Sequence, residues 1–502
     1  MASSEEVDGT TNGHGLTGNG TTPSDKGYGT TNGNGYGSTE NGSESVHKLG
    51  KPKKVEEEAT YWNLMKKNRA FRLYICSFII THMGEWLTYI ASIALAEEFL
   101  TDTGTTSRTT ISILVVVRLL PNVFLSPFGG ILADGADRRK TMILLDILGS
   151  ICPLFFLVAM YYRSILIIYL VTILQQTISG LYEPCVSAIL PLMVADMPQS
   201  DNYLKKATTI QGLSWSLFAA VGSALGGVVL TYLGFRACFF LDSCTYLLSA
   251  FLMYLVGGTW NVASDAEKHL TVLGQIKGMA VDGFNYLRTS FFGALVLLKA
   301  SNCVSVGASD VLNVSFSEPN GMDDPYTSTR LGVLFACMGF GCFLFPLMAD
   351  RLVDMKHPTS IQKMCIVSLA ISALGFGGIA FFEPFWCICF FTLVRAGGAS
   401  VNWILSSILL QKFSSDEMMG RVLSVDFALA LLFEATSAYA AGFLQDQLHM
   451  GAHLVAFCMS CLGLVLSAIW LLYHLAGRGA GAAPKDESDN NSQGGNESTP
   501  LV

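Results

Sequence analysis

Charged residues are scarce in this chain: 14% of its 502 residues are Asp, Glu, Lys or Arg, against about a quarter in an average soluble domain. The shortage excludes an ordinary water-facing globular surface, and no basic stripe suited to nucleic acid is present. The net charge of −8 adds little, because much of it sits in the tails. No Walker-type loop occurs, which argues against ATP-driven work by this chain. The eight histidines, from His14 to His474, are scattered without metal-ligand spacing. The 13 cysteines lie in or beside apolar runs and also lack such spacing. They read as packing thiols, not disulfides or ligands. No nucleophile–base constellation stands out, so neither an enzyme nor a cofactor or metal site is expected.

What the chain does have is hydrophobic length. Its residues are 51% hydrophobic, 31 of them Phe, with a mean hydropathy of +0.44. Twelve apolar stretches are close to the ~20 residues that cross a bilayer as helix. Their limits are near 73–97, 109–133, 141–161, 164–190, 207–231, 237–257, 289–314, 329–350, 361–381, 385–410, 422–444 and 452–474. The expected fold class is therefore an all-α polytopic membrane protein with twelve transmembrane helices in two six-helix bundles. The seventh stretch is the weakest, since it contains Lys299 and Asp310.

Residues 1–64 and 476–502 read as disordered tails rich in small polar residues. The acidic opening MASSEEVDGT does not look like a secretory signal or an organelle transit peptide. Between the tails, residues 65–257 and 289–475 form the two bundles, joined by a linker over 258–288. Part of that linker, HLTVLGQIKGMAVDGFNYL, has the mixed pattern of a short interfacial helix. Arg138, Arg139, Lys140, Lys205, Lys206, Lys277, Arg351, Lys363, Lys412 and Arg421 collect on one side of the spans. The opposite connections hold little besides Arg108 and Arg163. This asymmetry places the basic side, and both termini, in the cytoplasm. The plasma membrane is the expected host membrane, and the working unit is expected to be a monomer.

The stretch GGILADGADRRKTM, Gly129 to Met142, packs two acids and three bases between nearly charge-free spans. Three adjacent bases at a cytoplasmic edge can be a topology signal alone. Aspartates one turn from a helix end can also meet the positive N-terminus of another helix in one conformer only. Gly130-Ile-Leu-Ala-Asp134-Gly-Ala-Asp137-Arg138-Arg139 resembles the signature between helices two and three of the major facilitator superfamily. Within it, the chain looks most like the branch of macrolide-efflux and siderophore-export carriers. Lys67-Asn68-Arg69-x-Phe71-Arg72, Gly84-Glu85-Trp86, Leu120-Pro121, Pro127-x-Gly129-Gly130, Tyr182-x-Pro184 and Gly420-Arg421-Val422 carry that likeness. It covers about residues 65–475 and implies alternating access without a bound cofactor. Two departures stand out. Gly135 replaces the usual base after Asp134, and Ser223 replaces the exporter-associated proline of helix five, whose kink would then be missing.

Intramembrane charges usually face a bundle interior or a pathway. By helix rise, Glu85, Arg118, Lys299, Arg395 and Glu434 fall in a midplane tier, the candidate substrate-binding or proton pathway. The candidate gate comprises Gly130, Asp134, Asp137, Arg138, Arg139, Asp146, Glu183, Arg421 and Asp426, with Asp134 expected to face the start of helix eleven near Arg421. Asp242 and Asp310 lie further out. The bland alternative is an ion-pair scaffold, Glu85 with Arg118 and Glu434 with Arg395 or Lys299. Three bases against two acids leave room for an anionic solute group. A carboxylate exchanging between apolar and basic surroundings changes its proton affinity, which favours Glu85 and Glu434 as proton carriers. His82 reads either as a hydrogen-bond donor or as a relay. The leading expectation is proton-coupled export of a small organic solute. Uptake or facilitated passage, a lipid or lysolipid carrier, and a transporter-like sensor are the alternatives.

Overall fold

A computed structural model of the chain describes residues 60–102, 107–135, 137–260, 281, 284–290, 292–318, 326–355, 357–415 and 418–478. The side chains of 101–102, 126–135 and 201 lie outside this description, as does most of the expected interfacial helix. The described residues are all-α, and they form a polytopic membrane fold of two helical bundles.

The N-terminal half begins with a short helix α1 (Tyr61–Lys67), followed by α2 (Arg69–Asp102), α3 (Arg108–Gly135), α4 (Arg138–Tyr162), α5 (Ile165–Val194) and α6 (Ser200–Val256). Asn68 sets the entry to α2: its Oδ1 accepts from Phe71 N at 2.9 Å, while its Nδ2 donates to Met193 O at the end of α5, 2.7 Å away. Arg72 donates to the last carbonyls of α1, Met65 O at 2.7 Å and Lys66 O at 2.6 Å. Both residues of the pre-helix motif thus terminate helices.

The segment Asn202–Val256 is apolar over 55 residues, a length of about 80 Å as straight helix against a ~30 Å hydrocarbon core. It is two spans. Gly234, at φ 77° and ψ 176°, breaks it in a backbone conformation reserved for glycine. Counting it twice turns eleven apolar segments into the twelve expected spans.

The C-terminal half comprises a 3₁₀ turn (Gly293–Leu295), α7 (Val296–Val306), α8 (Ser309–Ser317), α9 (Thr327–Leu352), α10 (Pro358–Phe381), α11 (Phe385–Phe413), α12 (Met419–Gln447) and α13 (Ala452–Leu475). The seventh span is therefore two short helices interrupted at Gly307–Ala308. Gly307 packs against Glu434 O of α12 with no room for a Cβ.

Within the first half α2 packs on α6, α3 on α5, and α4 on both α5 and α6; in the second, α10 packs on α11 and α13, and α9 on α11. The halves meet along α3–α12 and α6–α9. Gly227 and Gly332 put the α6 and α9 backbones in contact: a Cβ on Gly227 would lie 3.0 Å from Gly332 Cα. Leu144, Ile147, Leu148, Ile151, Phe155 and Val158 recur at helical spacing on the outside of α4 and are exposed, as a lipid-facing stripe requires. The cysteines are free thiols.

Candidate functional site

Three interior acids of the N-terminal half, Asp146, Asp242 and Glu85, are held by hydroxyls. Asp146 of α4, 1% exposed, accepts from Ser249 Oγ at 2.7 Å, and Ser249 meets Ser77 Oγ at the same distance. Asp242 of α6, fully buried, accepts from Thr245 Oγ1 at 3.3 Å. Glu85, half-buried in α2, accepts from Tyr246 Oη at 2.9 Å. His82 contacts Phe78 O at 2.9 Å through Nδ1 and Glu183 at 3.4 Å through Nε2. Glu183 is the exposed member of the set. One oxygen each of Asp146 and Asp242 is buried with no hydrogen-bond partner. Gly84 fits because its missing side chain leaves space that Thr245 and Asp242 fill.

The pairing of Glu85 with Arg118 is not what the structure shows. Arg118 instead lies 3.5 Å above the ring of Tyr89 and 5.8 Å from that of Trp86, a cation–π arrangement. Tyr89 Oη in turn donates to Asp310 of α8, crossing from one half to the other. Glu434 of α12 makes no hydrogen bond or ion pair with the described residues, yet Asp310 and Arg118 both act on it electrostatically. Arg118, Tyr89, Asp310 and Glu434 therefore converge where the halves meet.

The remaining bases are committed within the C-terminal half. Lys299 forms a buried ion pair with Asp426, donates to Ser407 Oγ at 2.6 Å, and sits 4.9 Å from the centre of the Trp403 ring. Neither Lys299 nor Arg395 pairs with Glu434. Arg395, 2% exposed, donates to Ser309 Oγ and stacks 5.1 Å from the Phe376 centroid, and its Nη2 has no partner. Asp426 is thus bound to Lys299 inside its own half, and Asp146 is likewise engaged within its half.

The basic loop holds the start of α4 to the end of α6. Asp137 caps α4, accepting from Arg139 N at 3.2 Å and Lys140 N at 3.4 Å. Arg139 donates to Met253 O, Tyr254 O and Gly258 O at 2.8, 2.6 and 3.2 Å, closing the end of α6. Arg138 N donates to Trp260 O at 3.3 Å. These residues staple α4 to α6. Beyond their helical backbone, Gly130 and Asp134 lie outside the described residues. Arg421 donates to Met418 Sδ at 3.6 Å and has a further contact.

At the opposite end the halves are locked together by residues that the depth argument passed over. Arg108 donates to Glu97 at 2.7 Å and to Glu318 at 2.6 Å. Asp446 of α12 accepts from Ser107 Oγ and from the amides of Arg108 and Thr109 at the start of α3. Thr231 and Thr329 meet at 2.7 Å across α6–α9. A helix N-terminus opposite an aspartate was a readable signal in Ser107-Arg108-Thr109, but its partner is 337 residues away along the chain.

Comparison with known proteins adds the following. The profile of the family described as "Major Facilitator Superfamily" matches residues 73–430. "Putative bacilysin exporter BacE" of Bacillus subtilis (strain 168) is 25% identical over 406 residues, 78% of this chain and 93% of that protein. "Uncharacterized MFS-type transporter YfiS" of the same organism is 23% identical over 193 residues, 38% of this chain and 43% of that protein's length. Among solved structures, a POT family transporter in complex with 5-aminolevulinic acid aligns at a TM-score of 0.62 and 14% identity, over 80% of this chain and 96% of that one. The nucleoside transporter NupG aligns at 0.61 and 15%, over 81% and 99%. At these identities the structural likeness shows the fold. The likeness to macrolide-efflux and siderophore-export carriers is not what these relatives show.

Proposed function

Because the chain belongs to the major facilitator superfamily, a family of membrane transporters and not enzymes, we propose that it moves a small polar organic solute by alternating access, coupled to protons. The observation that carries this reading is the pair Arg118 and Glu434. Both sit half-buried where the two halves meet, each without an ion-pair partner among the described residues. A scaffold would pair them; a site keeps a cation and a carboxylate available for a ligand. Arg118 takes an anionic group of the solute over the Tyr89 face. Glu434 takes its cationic group or a proton. Glu85 and His82 supply the proton route through the N-terminal half. The halves correspond to 65–257 and 289–475, with the 258–288 linker and the basic loops on the cytoplasmic side of the plasma membrane.

Export draws support from the relatives named as bacilysin exporters. Uptake or facilitated passage draws support from α6. Its non-helical backbone lies at Gly234, and helical geometry continues through Ser223, whose hydroxyl donates back to Ala219 O and to Ala220 O at 3.2 Å. The deciding experiment is a flux panel in proteoliposomes with pH gradients of both signs, using zwitterionic, anionic and neutral solutes. Accumulation into vesicles alkaline inside assigns proton symport and uptake, and accumulation into vesicles acid inside assigns proton antiport and export. Flux indifferent to every gradient would reduce the chain to facilitated passage, and no flux for wild type while Arg118→Met binds solutes equally well would remove the proposed site.

A further inference from the structure

At the end opposite the basic loops, one guanidinium lies between two carboxyl groups that come from different halves. Arg108 Nη1 donates to Glu97 Oε1 at 2.7 Å and reaches Glu318 Oε1 at 3.5 Å, while Nη2 donates to Glu318 Oε2 at 2.6 Å. The side chains are 16% exposed for Arg108 and 4% for each glutamate. With both carboxyls ionised the set would carry two negative charges against one positive, and an uncompensated buried charge is strongly unfavourable. Arg108 draws both carboxyl groups onto one guanidinium. One proton on either carboxyl brings the three side chains to neutrality.

We infer that Glu97 and Glu318 form a shared proton site that exists only while this end of the molecule is closed. Closing it takes up one proton, held on either carboxyl. Opening it carries Glu318 away with the C-terminal half, leaves Glu97 and Arg108 as a neutral pair, and returns the proton to the water on that face. Among the described residues, Arg108 and Glu318 act on Glu97, and both glutamates act on Arg108. Asp446, the carboxylate beside them, is occupied by two backbone amides and a hydroxyl, and Glu98 faces Arg163 at 3.5 Å. The inference deepens the proton-coupled reading and rests on it for its role in transport. It places a coupling step at the rim of the molecule, outside the midplane tier.

The state that binds more protons gains as pH falls, so acidification should close this end. The test uses the full chain in lipid nanodiscs, with spin labels at Tyr162 and Leu448, exposed ends of the two halves, in a reduced-cysteine background. In the wild-type sequence the distance distribution should shift toward the short population as pH is lowered. Glu318→Gln and, separately, Glu97→Gln should lose that shift and stay in the short population throughout, because an amide donates without titrating. A wild-type distance indifferent to pH, or a shift that survives in both glutamine variants, overturns the proton site. Flux on the same protein separates the two readings. Gradient-driven transport with a pH-blind distance overturns this inference alone, whereas a titrating distance with gradient-indifferent flux sustains the site and removes the coupling.

Discussion

In the N-terminal half Asp146, Asp242 and Glu85 rest on the hydroxyls of Ser249, Thr245 and Tyr246, and Glu183 on His82. In the C-terminal half Lys299 meets Asp426 directly, and Arg395 is sunk beside Ser309 and Phe376. A hydroxyl can donate or accept, so a carboxyl it holds keeps a partner in either protonation state. An ion pair keeps its partner only while both groups stay charged. Asp146, Asp242 and Glu85 are thus set to tolerate protonation changes, whereas Lys299 and Asp426 are set to hold fixed charge. Tyr89–Asp310 joins the two regimes at the candidate site.

The largest test of this difference is Lys299→Met, which strands Asp426 at 1% exposure. A loss of about 3–5 kcal/mol is expected, read as a fall in thermal midpoint in detergent. Lys299→Met combined with Asp426→Leu should recover most of it. Failure of the double variant to recover would mean that the pair does more than neutralise itself. Next comes Glu85→Gln, which keeps the Tyr246 bond and should alter stability by only about 1 kcal/mol. Gradient-driven accumulation should nevertheless fail, while solute exchange at equal pH persists. An unchanged pH dependence in a stable variant would transfer the role to Glu434. Smaller in its effect on transport is Asp137→Ala, which removes the α4 cap and should cost about 1 kcal/mol of stability. The smallest is Asp354→Ala in the C-terminal counterpart of that loop. Its exposed side chain meets exposed His357 at 3.6 Å, and an effect within about 0.5 kcal/mol is expected. Equal losses at 137 and 354 would erase the distinction between the two loops.

How far the sequence could be read follows from what each signal encodes. Apolar length gives spans, and ten of the twelve expected stretches correspond to separate helical segments. Spans five and six appear joined only because Gly234 turns the chain in a single residue. The seventh span, doubtful because of Lys299 and Asp310, is the one split at Gly307–Ala308. Helix rise gives the height of a charge but not its azimuth. Glu85 and Arg118 share a height and still point to different partners, Tyr246 and Tyr89. Glu97, Glu318 and Asp446 sit at span ends, where charge is ordinary, so nothing local separated them from solvated residues. Their meaning comes from contacts between segments far apart in the chain.

Gly234 has a mechanical consequence. A long loop between two helices acts as slack, and each can tilt without the other. Here α6 changes direction at one residue, so the segment that touches α9 through Gly227 and Gly332 is hinged directly to the segment that carries Asp242, Tyr246 and Ser249. Any swing of the first is delivered to the second as torque. The hydroxyls that hold Glu85 and Asp146 are therefore geared to the contact between the halves.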